Sequence, residues 1–69
     1  MKLEYFPDTD TLYLTLKTGQ GTDATEVAPN IVLDYNESRE VIGVEIEHAS
    51  KMTELNNDQL SALRINLAA

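Results

Sequence analysis

The chain has 69 residues, a formal net charge of −7 and no cysteine. A chain this short predicts a single domain over residues 1–69, with a marginal core that needs disulfides, metals or self-association as reinforcement. The lack of cysteine excludes disulfides and thiolate metal sites, so we expect self-association, most simply as a homodimer.

The acidity of the chain is not confined to a tail. Twelve acidic residues and only five basic ones are distributed along the sequence. Scattered bases cannot form a patch for phosphate backbones, so the charge disfavours nucleic acid and anionic membranes and favours a basic protein partner. No apolar leader and no apolar run of about 20 residues is present, and we expect a cytoplasmic protein.

Two alternating segments open the chain and predict a β-hairpin. They are strands at about residues 2–6 and 11–17, the second having the clearest two-residue period in the sequence. Pro7 ends the first strand because it fixes φ and lacks an N–H group. Asp8 and Asp10 can bond nearby backbone amides in the turn that follows.

Three more strands are predicted, at about residues 25–28, 31–35 and 40–47. Gly19 and Gly21 mark the turn before them, since both can take positive φ. Asn36–Arg39 is typical of a hairpin loop. The bare Gly43 allows close approach of another backbone or ring.

The pattern changes from alternation to helical spacing after residue 50. Leu60, Leu63 and Leu67 are spaced i, i+3, i+7 and predict a helix at about residues 58–67, with Asn57 as its N-cap. A shorter helical turn capped by Ser50 is expected before it. The predicted fold is α+β: a small antiparallel sheet of four to five strands, with one C-terminal helix packed on one face.

Several carboxylates could carry chemistry. Asp8 and Asp10 could help to bind Mg²⁺ or Ca²⁺, but the further ligands of a calcium loop are absent and turn chemistry explains both residues. Glu45 and Glu47 share a strand face, with Asp34 as a neighbour, and could either shift one another's pKa or form a solvated surface. The alternative function is therefore a small-ligand or divalent-metal-binding protein that uses surface carboxylates.

The evidence for catalysis in the sequence is weak. His48 is the single histidine, and Ser50 is the only candidate nucleophile near it, without a Gly-x-Ser-x-Gly elbow. The segment 19–21 is not a phosphate loop, because no lysine follows in register and no helix begins there. We predict no catalytic residues, no cofactor, no metal site and no enzyme activity.

We predict an interaction surface of four residues on the side of the sheet opposite Leu12, Leu14 and Leu16. The four residues are Phe6, Tyr13, Val32 and Val41. Aromatic residues are enriched at protein interfaces, although partial burial under a loop is the competing interpretation.

The sequence also resembles a known family. Residues 5–16 resemble its aromatic-x-Pro-x-x-Asp-x-Leu-Tyr-x-x-Leu opening, and residues 31–36, 41–46 and 49–50 resemble its second half. The family is the small bacterial domain of unknown function 2283, and the resemblance covers about residues 2–52. Ser38 stands where a glycine is typical of the turn.

The resemblance implies a small α+β fold with no established enzyme activity, and no catalytic residue is carried over. Some members are thought to act as antitoxin-like partners of small toxins. The sequence thus predicts a non-catalytic protein-interaction module that neutralises a basic partner.

Overall fold

The computed structural model describes residues 1–63 and 65–66, which form an antiparallel sheet and two short helices. The strands are β1 Lys2–Phe6, β2 Thr11–Thr15, β3 Asp23–Ala28, β4 Ile31–Tyr35, β5 Val41–Ile46 and the two-residue β6 Ile65–Asn66. The helices are α1 Ala49–Met52 and α2 Asn57–Ser61. Their order across the sheet is β3-β4-β5-β2-β1-β6. The predicted α+β class is confirmed.

The connections place β2 and β5 at the centre of the sheet. β1 and β2 form the predicted hairpin, and β3, β4 and β5 form a meander. Residues 16–22 carry the chain from β2 to the far edge, so that β5 returns to lie beside β2. This is the strand order of a Greek key.

The tight turns use left-handed backbone at polar residues. Asp10 has φ 53°, Asn30 φ 66° and Arg39 φ 65°. Aspartate and asparagine tolerate this region because their short side chains bond locally. In the β4–β5 hairpin, the left-handed residue is Arg39, which follows Ser38 in the loop.

The register separates the side chains into two faces. The face that we call the apolar face carries Leu3, Tyr5, Leu12, Leu14, Ile31, Leu33, Val44 and Ile46. The face that we call the acidic face carries Glu4, Phe6, Tyr13, Glu26, Val32, Asp34, Gly43 and Glu45. Neighbouring positions along a strand alternate between these faces, and directly paired residues share one.

The core lies where the helices meet the apolar face. Leu12, Ala49 and Leu60 are its buried centre. Half-buried residues packed against that centre are Leu3, Tyr5, Ile46, Leu55 and Leu63. Leu60, from the predicted leucine stripe, is fully buried. The core therefore occupies one end of the sheet.

The predicted helix at residues 58–67 is wrong in its C-terminal half. α2 ends at Ser61, Ile65–Asn66 is a strand, and Leu67 lies outside the described residues. Ile65 pairs with Leu3 on β1, because the free edge of that strand offers hydrogen bonds that a continued helix would leave unused.

The capping residues also differ from the sequence-based expectation. The N-cap of α2 is Asn56, whose side chain accepts from the Gln59 N–H at 2.8 Å, while the Gln59 side chain accepts from the Asn56 N–H at 3.0 Å. Asn57 could not form the same capping box as N-cap. The residue three positions after it is Leu60, whose side chain has no hydrogen-bond acceptor. α1 begins after His48, so the cap role predicted for Ser50 is also wrong.

The predicted strands at residues 11–17 and 40–47 are longer than β2 and β5. The amides of Leu16 and Lys17 both donate to the Ile42 carbonyl, at 2.8 and 3.2 Å, which ends the regular pairing. On the other side of β5, the register shifts between Asp34 and Tyr35. Ile42 is buried, but it lies outside the core cluster.

Candidate functional site

A row of acidic and aromatic side chains crosses five strands on the acidic face. Glu26, Val32, Glu45, Tyr13 and Glu4 are successive partners on β3, β4, β5, β2 and β1. All but the exposed Glu26 are half-buried. We call this set the acidic row. It places carboxylates on both sides of Val32 and of Tyr13.

The tyrosine of this row is held by the next row of the sheet. Tyr13 Oη donates to Asp34 Oδ2 at 2.7 Å. The phenol lies directly over Gly43, where a β-carbon would overlap Tyr13 Oη. The expectation that Gly43 admits the close approach of a ring is confirmed. Glycine at this point of β5 is what allows Tyr13 to reach Asp34.

Burial and like charges shape the electrostatics of the acidic row. Burial raises the pKa of Glu45 above its ordinary value, and the neighbouring carboxylates of Asp34 and Glu47 raise it further. Burial, then the hydrogen bond to Asp34, raises the pKa of Tyr13 to about 12. The ionised Glu45 therefore stands in a partly desolvated, negatively charged setting.

Three bases among the described residues form ion pairs, and their partners are acidic residues other than Asp34 and Glu45. The pairs are Lys2–Glu4 at 3.2 Å, Lys17–Glu40 at 2.5 Å and Arg39–Asp23 at 3.5 Å. Within residues 1–63 and 65–66, no ion pair involves Asp34 or Glu45. These two neighbouring carboxylates therefore have no neutralising cation in the part of the chain that the structure describes.

An open depression adjoins the phenol of Tyr13. Its volume is about 560 Å³, and its lining includes Tyr13, Gly21, Asp23, Asp34 and Ile42. Ile42 supplies an apolar floor, and the two aspartates stand beside it. The depression extends the acidic face toward the loop between β2 and β3.

The four residues of the predicted interaction surface do not all lie on one face. Tyr13 and Val32 belong to the acidic row, and Phe6, 46 % exposed, lies on the same face near the end of β1. Val41 pairs with Tyr35 after the register shift, which places it on the apolar face. The interaction surface itself stays a prediction.

Asp10, one of the two candidate metal ligands, has a structural role. Its carboxylate accepts from Tyr5 Oη at 2.6 Å, from Ser50 Oγ at 2.7 Å and from the Ser50 N–H at 3.1 Å. His48 makes no side-chain capping bond to α1, so Asp10 serves as the acceptor at the start of that helix. Asp10 thus joins the β1–β2 turn to α1.

These hydrogen bonds shift the pKa values of Asp10 and Tyr5 in opposite directions. The hydrogen bonds from Tyr5 and Ser50 hold the pKa of Asp10 below its ordinary value. The bond to Asp10 raises the pKa of Tyr5 to about 12. The sequence indicated the turn but not the partner, because Ser50 is 40 residues away. Asp8, in the same turn, is exposed.

The candidate catalytic pair forms separate contacts. His48 Nδ1 lies 2.9 Å from Asn30 Oδ1, whereas Ser50 donates to Asp10. The side chain of Ser50 is therefore directed to a carboxylate of the turn. No group of three or more His, Asp or Glu side chains among the described residues is arranged to hold a metal ion.

The helices of the described chain are short. None of them has the length and apolar character that crossing a bilayer requires.

The sheet, its two helices and its acidic face define a small α+β protein built around one antiparallel sheet. The chain belongs to the family described as protein of unknown function (DUF2283), which matches residues 2–50. The match includes both tyrosine–aspartate bonds and stops before α2. Comparison with the curated proteins and with the solved structures gives no match.

Proposed function

We propose that this protein is a non-catalytic interaction module of the bacterial cytoplasm that binds a basic protein, as an antitoxin binds a small basic toxin. The observation that carries the proposal is the acidic row, which places Glu45 and Tyr13 side by side on one face of the sheet. A surface with this charge is complementary to clustered lysine and arginine side chains.

In such a complex, charge affects the rate of encounter, whereas apolar and aromatic contact area contributes to affinity. The net charge of −7 attracts a basic partner over long range and speeds encounter. Tyr13, Val32 and Phe6 supply apolar contact area beside the carboxylates. Interfaces of this composition gain most of their affinity from a few central aromatic contacts.

The state of Glu45 links binding to pH. The pKa of Glu45 is raised because burial and neighbouring carboxylates destabilise its ionised form. No cation among the described residues forms an ion pair with it. A lysine or arginine from the partner would stabilise the carboxylate, so binding should release protons when the pH lies near the pKa of Glu45. Affinity should fall as the pH drops through that pKa.

The test uses capture from native lysate with a charge-matched control. Wild-type protein is compared with the double variant Asp34→Asn/Glu45→Gln and with Glu37→Gln/Glu54→Gln, whose two positions are exposed and lie outside the acidic face. We expect a basic protein to be retained by the wild type and the control but lost from the acidic-face variant.

The captured protein is then produced alone and titrated by calorimetry at two salt concentrations. We expect the acidic-face variant to bind at least about tenfold more weakly, with a reduced salt dependence. Equal affinity of both double variants would show that net charge, and not this face, determines binding. Failure to retain any basic protein would contradict the proposed function.

A further inference from the structure

The strand β3 is the least covered strand of the described sheet. All six of its residues are exposed, whereas β1, β2, β4 and β5 consist mainly of half-buried residues. Among the strands that the structure describes, β3 has β4 as its single neighbour, while the opposite edge of the sheet is joined by β6. One side of β3 therefore presents backbone N–H and C=O groups to which no described strand is paired.

Natural sheets protect such edges with lysine, proline, bulges or very short strands, and β3 is protected at one end only. The register with β4 shifts between Glu26 and Ala28, and Pro29 follows the strand. From residue 23 to residue 26 the pairing with β4 is regular, and this segment contains no lysine. We call residues 23–26 the open edge. It offers about 13 Å of extended backbone to a further strand.

One amide of the open edge is engaged in a local hydrogen bond. The Ala24 N–H donates to Oδ1 of the preceding residue, Asp23, at 2.9 Å. Bonds of this kind are the alternative that an aspartate side chain offers to the ladder bonds of a sheet. An added strand can replace the bond, since the side chain of Asp23 is 57 % exposed and can turn away.

The charge at the open edge favours a basic occupant. Arg39, from the loop between β4 and β5, already lies there with Nη1 3.5 Å from Asp23 Oδ2. Glu26, at the other end of the open edge, forms no ion pair within residues 1–63 and 65–66. Glu26 is also the first residue of the acidic row, and Glu45 lies two strands further on. A lysine or arginine opposite Glu26 would meet its carboxylate at the distance of a direct cross-strand pair.

We infer that the open edge binds an extended basic segment of the partner protein, which is added to the sheet as a further strand. The inference rests on the proposed function, because it takes the partner to be basic, and it names the element that the partner contacts. Added strands gain affinity from main-chain hydrogen bonds and specificity from alternate side chains. Directly paired residues share a face, so basic residues at every second position of the segment would all lie on the acidic face, opposite Glu26 and Ala24.

A second copy of this chain fits the open edge less well. Pairing of β3 with β3 of another copy would bring Asp23 and Glu26 of both chains into one short ladder, in which like charges repel. Each copy also carries a net charge of −7. The open edge therefore favours a positively charged strand over a second β3.

The first experiment uses the unaltered, isotopically labelled chain and a hexapeptide with blocked ends that alternates lysine with threonine. We expect the NMR amide signals of residues 23–26 to shift during the titration, and their hydrogen exchange to slow when the peptide is bound. Signals that shift only elsewhere in the chain would overturn the inference.

Two control peptides separate strand pairing from charge attraction. They have the same sequence, but one carries N-methyl groups on its lysine amides and the other on its threonine amides. Only alternate amides of a strand face a given neighbour, so one of the two should bind at least about tenfold more weakly than the unmodified peptide. Equal binding of all three peptides would show attraction without strand pairing and overturn the inference.

A pair of charge reversals in the chain then tests the position of the peptide. Glu26→Lys should weaken binding of the unmodified peptide at least about tenfold, because it places like charges opposite each other. Glu37→Lys makes the same change of net charge at an exposed position outside the open edge, and it should weaken binding by no more than about threefold. Equal losses in both variants would overturn the inference.

The outcomes also distinguish this inference from the proposed function. Shifts confined to Tyr13, Glu45 and their neighbours would place the peptide on the acidic row away from β3, which overturns the inference and leaves the proposed function intact. Addition of the peptide to β3, combined with no basic protein retained from lysate, would contradict the proposed function alone. If the signals of residues 23–26 change on dilution of the chain without peptide, a second copy occupies the open edge and the inference is wrong.

Discussion

Two tyrosine–aspartate bonds in this protein have nearly the same geometry and different consequences. Tyr5 donates to Asp10 at 2.6 Å, and Tyr13 donates to Asp34 at 2.7 Å. Both bonds help to raise the pKa of the phenol to about 12. The hydrogen bond alone therefore does not determine what each pair does.

The difference lies in the second neighbour of each aspartate. Asp10 also accepts two bonds from Ser50, so its charge is satisfied by donors of α1. Asp34 lies beside Glu45, whose pKa it raises. The first pair joins elements of the fold, whereas the second retains negative charge on a surface. Equivalent contacts become structural or functional through the groups around them.

The largest expected effect comes from exchanging the two aspartates for asparagine. Asp10→Asn keeps a residue that tolerates φ 53° but removes the charged acceptor of Tyr5 and Ser50. We expect its melting temperature to fall by about 10 °C or more, measured by circular dichroism. Asp34→Asn should change the melting temperature by no more than about 4 °C.

Asp8→Asn is the control for the turn, since Asp8 is exposed in the same segment. The melting temperature of Asp8→Asn should equal that of the wild type. If Asp10→Asn and Asp34→Asn were equally destabilised, the distinction between the two pairs would be lost.

A β-carbon at Gly43 should disrupt the second pair selectively. In Gly43→Ala the new methyl group would overlap the phenol of Tyr13, so the ring must move and release Asp34. We expect a loss of about 1–3 kcal/mol in the free energy of unfolding. The pKa of Tyr13, measured from phenolate absorbance, should fall from about 12 toward its ordinary value.

Gly21→Ala is the matched control, because its β-carbon would meet only the Ile42 Cδ1 atom at 3.8 Å, an ordinary contact. This variant should keep the wild-type stability or gain slightly. An unchanged Tyr13 titration in Gly43→Ala would contradict the close packing of the phenol on β5.

The smallest effect is a pH dependence of opposite sign at the two sites. The folded-state pKa of Asp10 is lowered, so its stabilisation is complete above its ordinary pKa of 3.8 and is lost as the pH falls through the folded value. The folded-state pKa of Glu45 is raised, so its ionisation destabilises the fold increasingly as the pH rises above 4.5 toward the folded value.

Glu45→Gln should therefore raise the melting temperature by a few degrees at neutral pH and have no effect well below pH 4.5. Thermal scans from acidic to neutral pH measure the difference. Glu54→Gln, at an exposed position after α1, provides the comparison. A lower melting temperature for Glu45→Gln at neutral pH would show that the carboxylate is compensated rather than strained by its surroundings.

Local patterns predicted the strands better than the helices. Alternation gave β1 and β4 with the bounds that the structure shows, because half-buried strands repeat every two residues. The leucine spacing predicted the burial of Leu60 but extended the helix too far. What ends α2 early is pairing with β1, which is distant in sequence and leaves no local signal.

The candidate site was only partly accessible from the sequence. Alternation places Tyr13 and Val32 on one face, and it identifies Glu45 as a neighbour of Asp34. Alternation cannot reveal the register shift that moves Val41 to the other face, because one extra residue in a strand leaves no recognisable pattern in the sequence. The link that Asp10 makes to α1 depends on a contact with Ser50, 40 residues away, and the periodicity of a sequence cannot predict such a contact.

The dependence of α1 on Asp10 sets an order of events during folding. A helix of four residues without a side-chain cap of its own has no independent stability in water. Its acceptor becomes available only when the β1–β2 hairpin has closed and turned Asp10 toward Ser50. The hairpin should consequently form early, and docking of α1, with the burial of Ala49, should be a late step on the path to the native state.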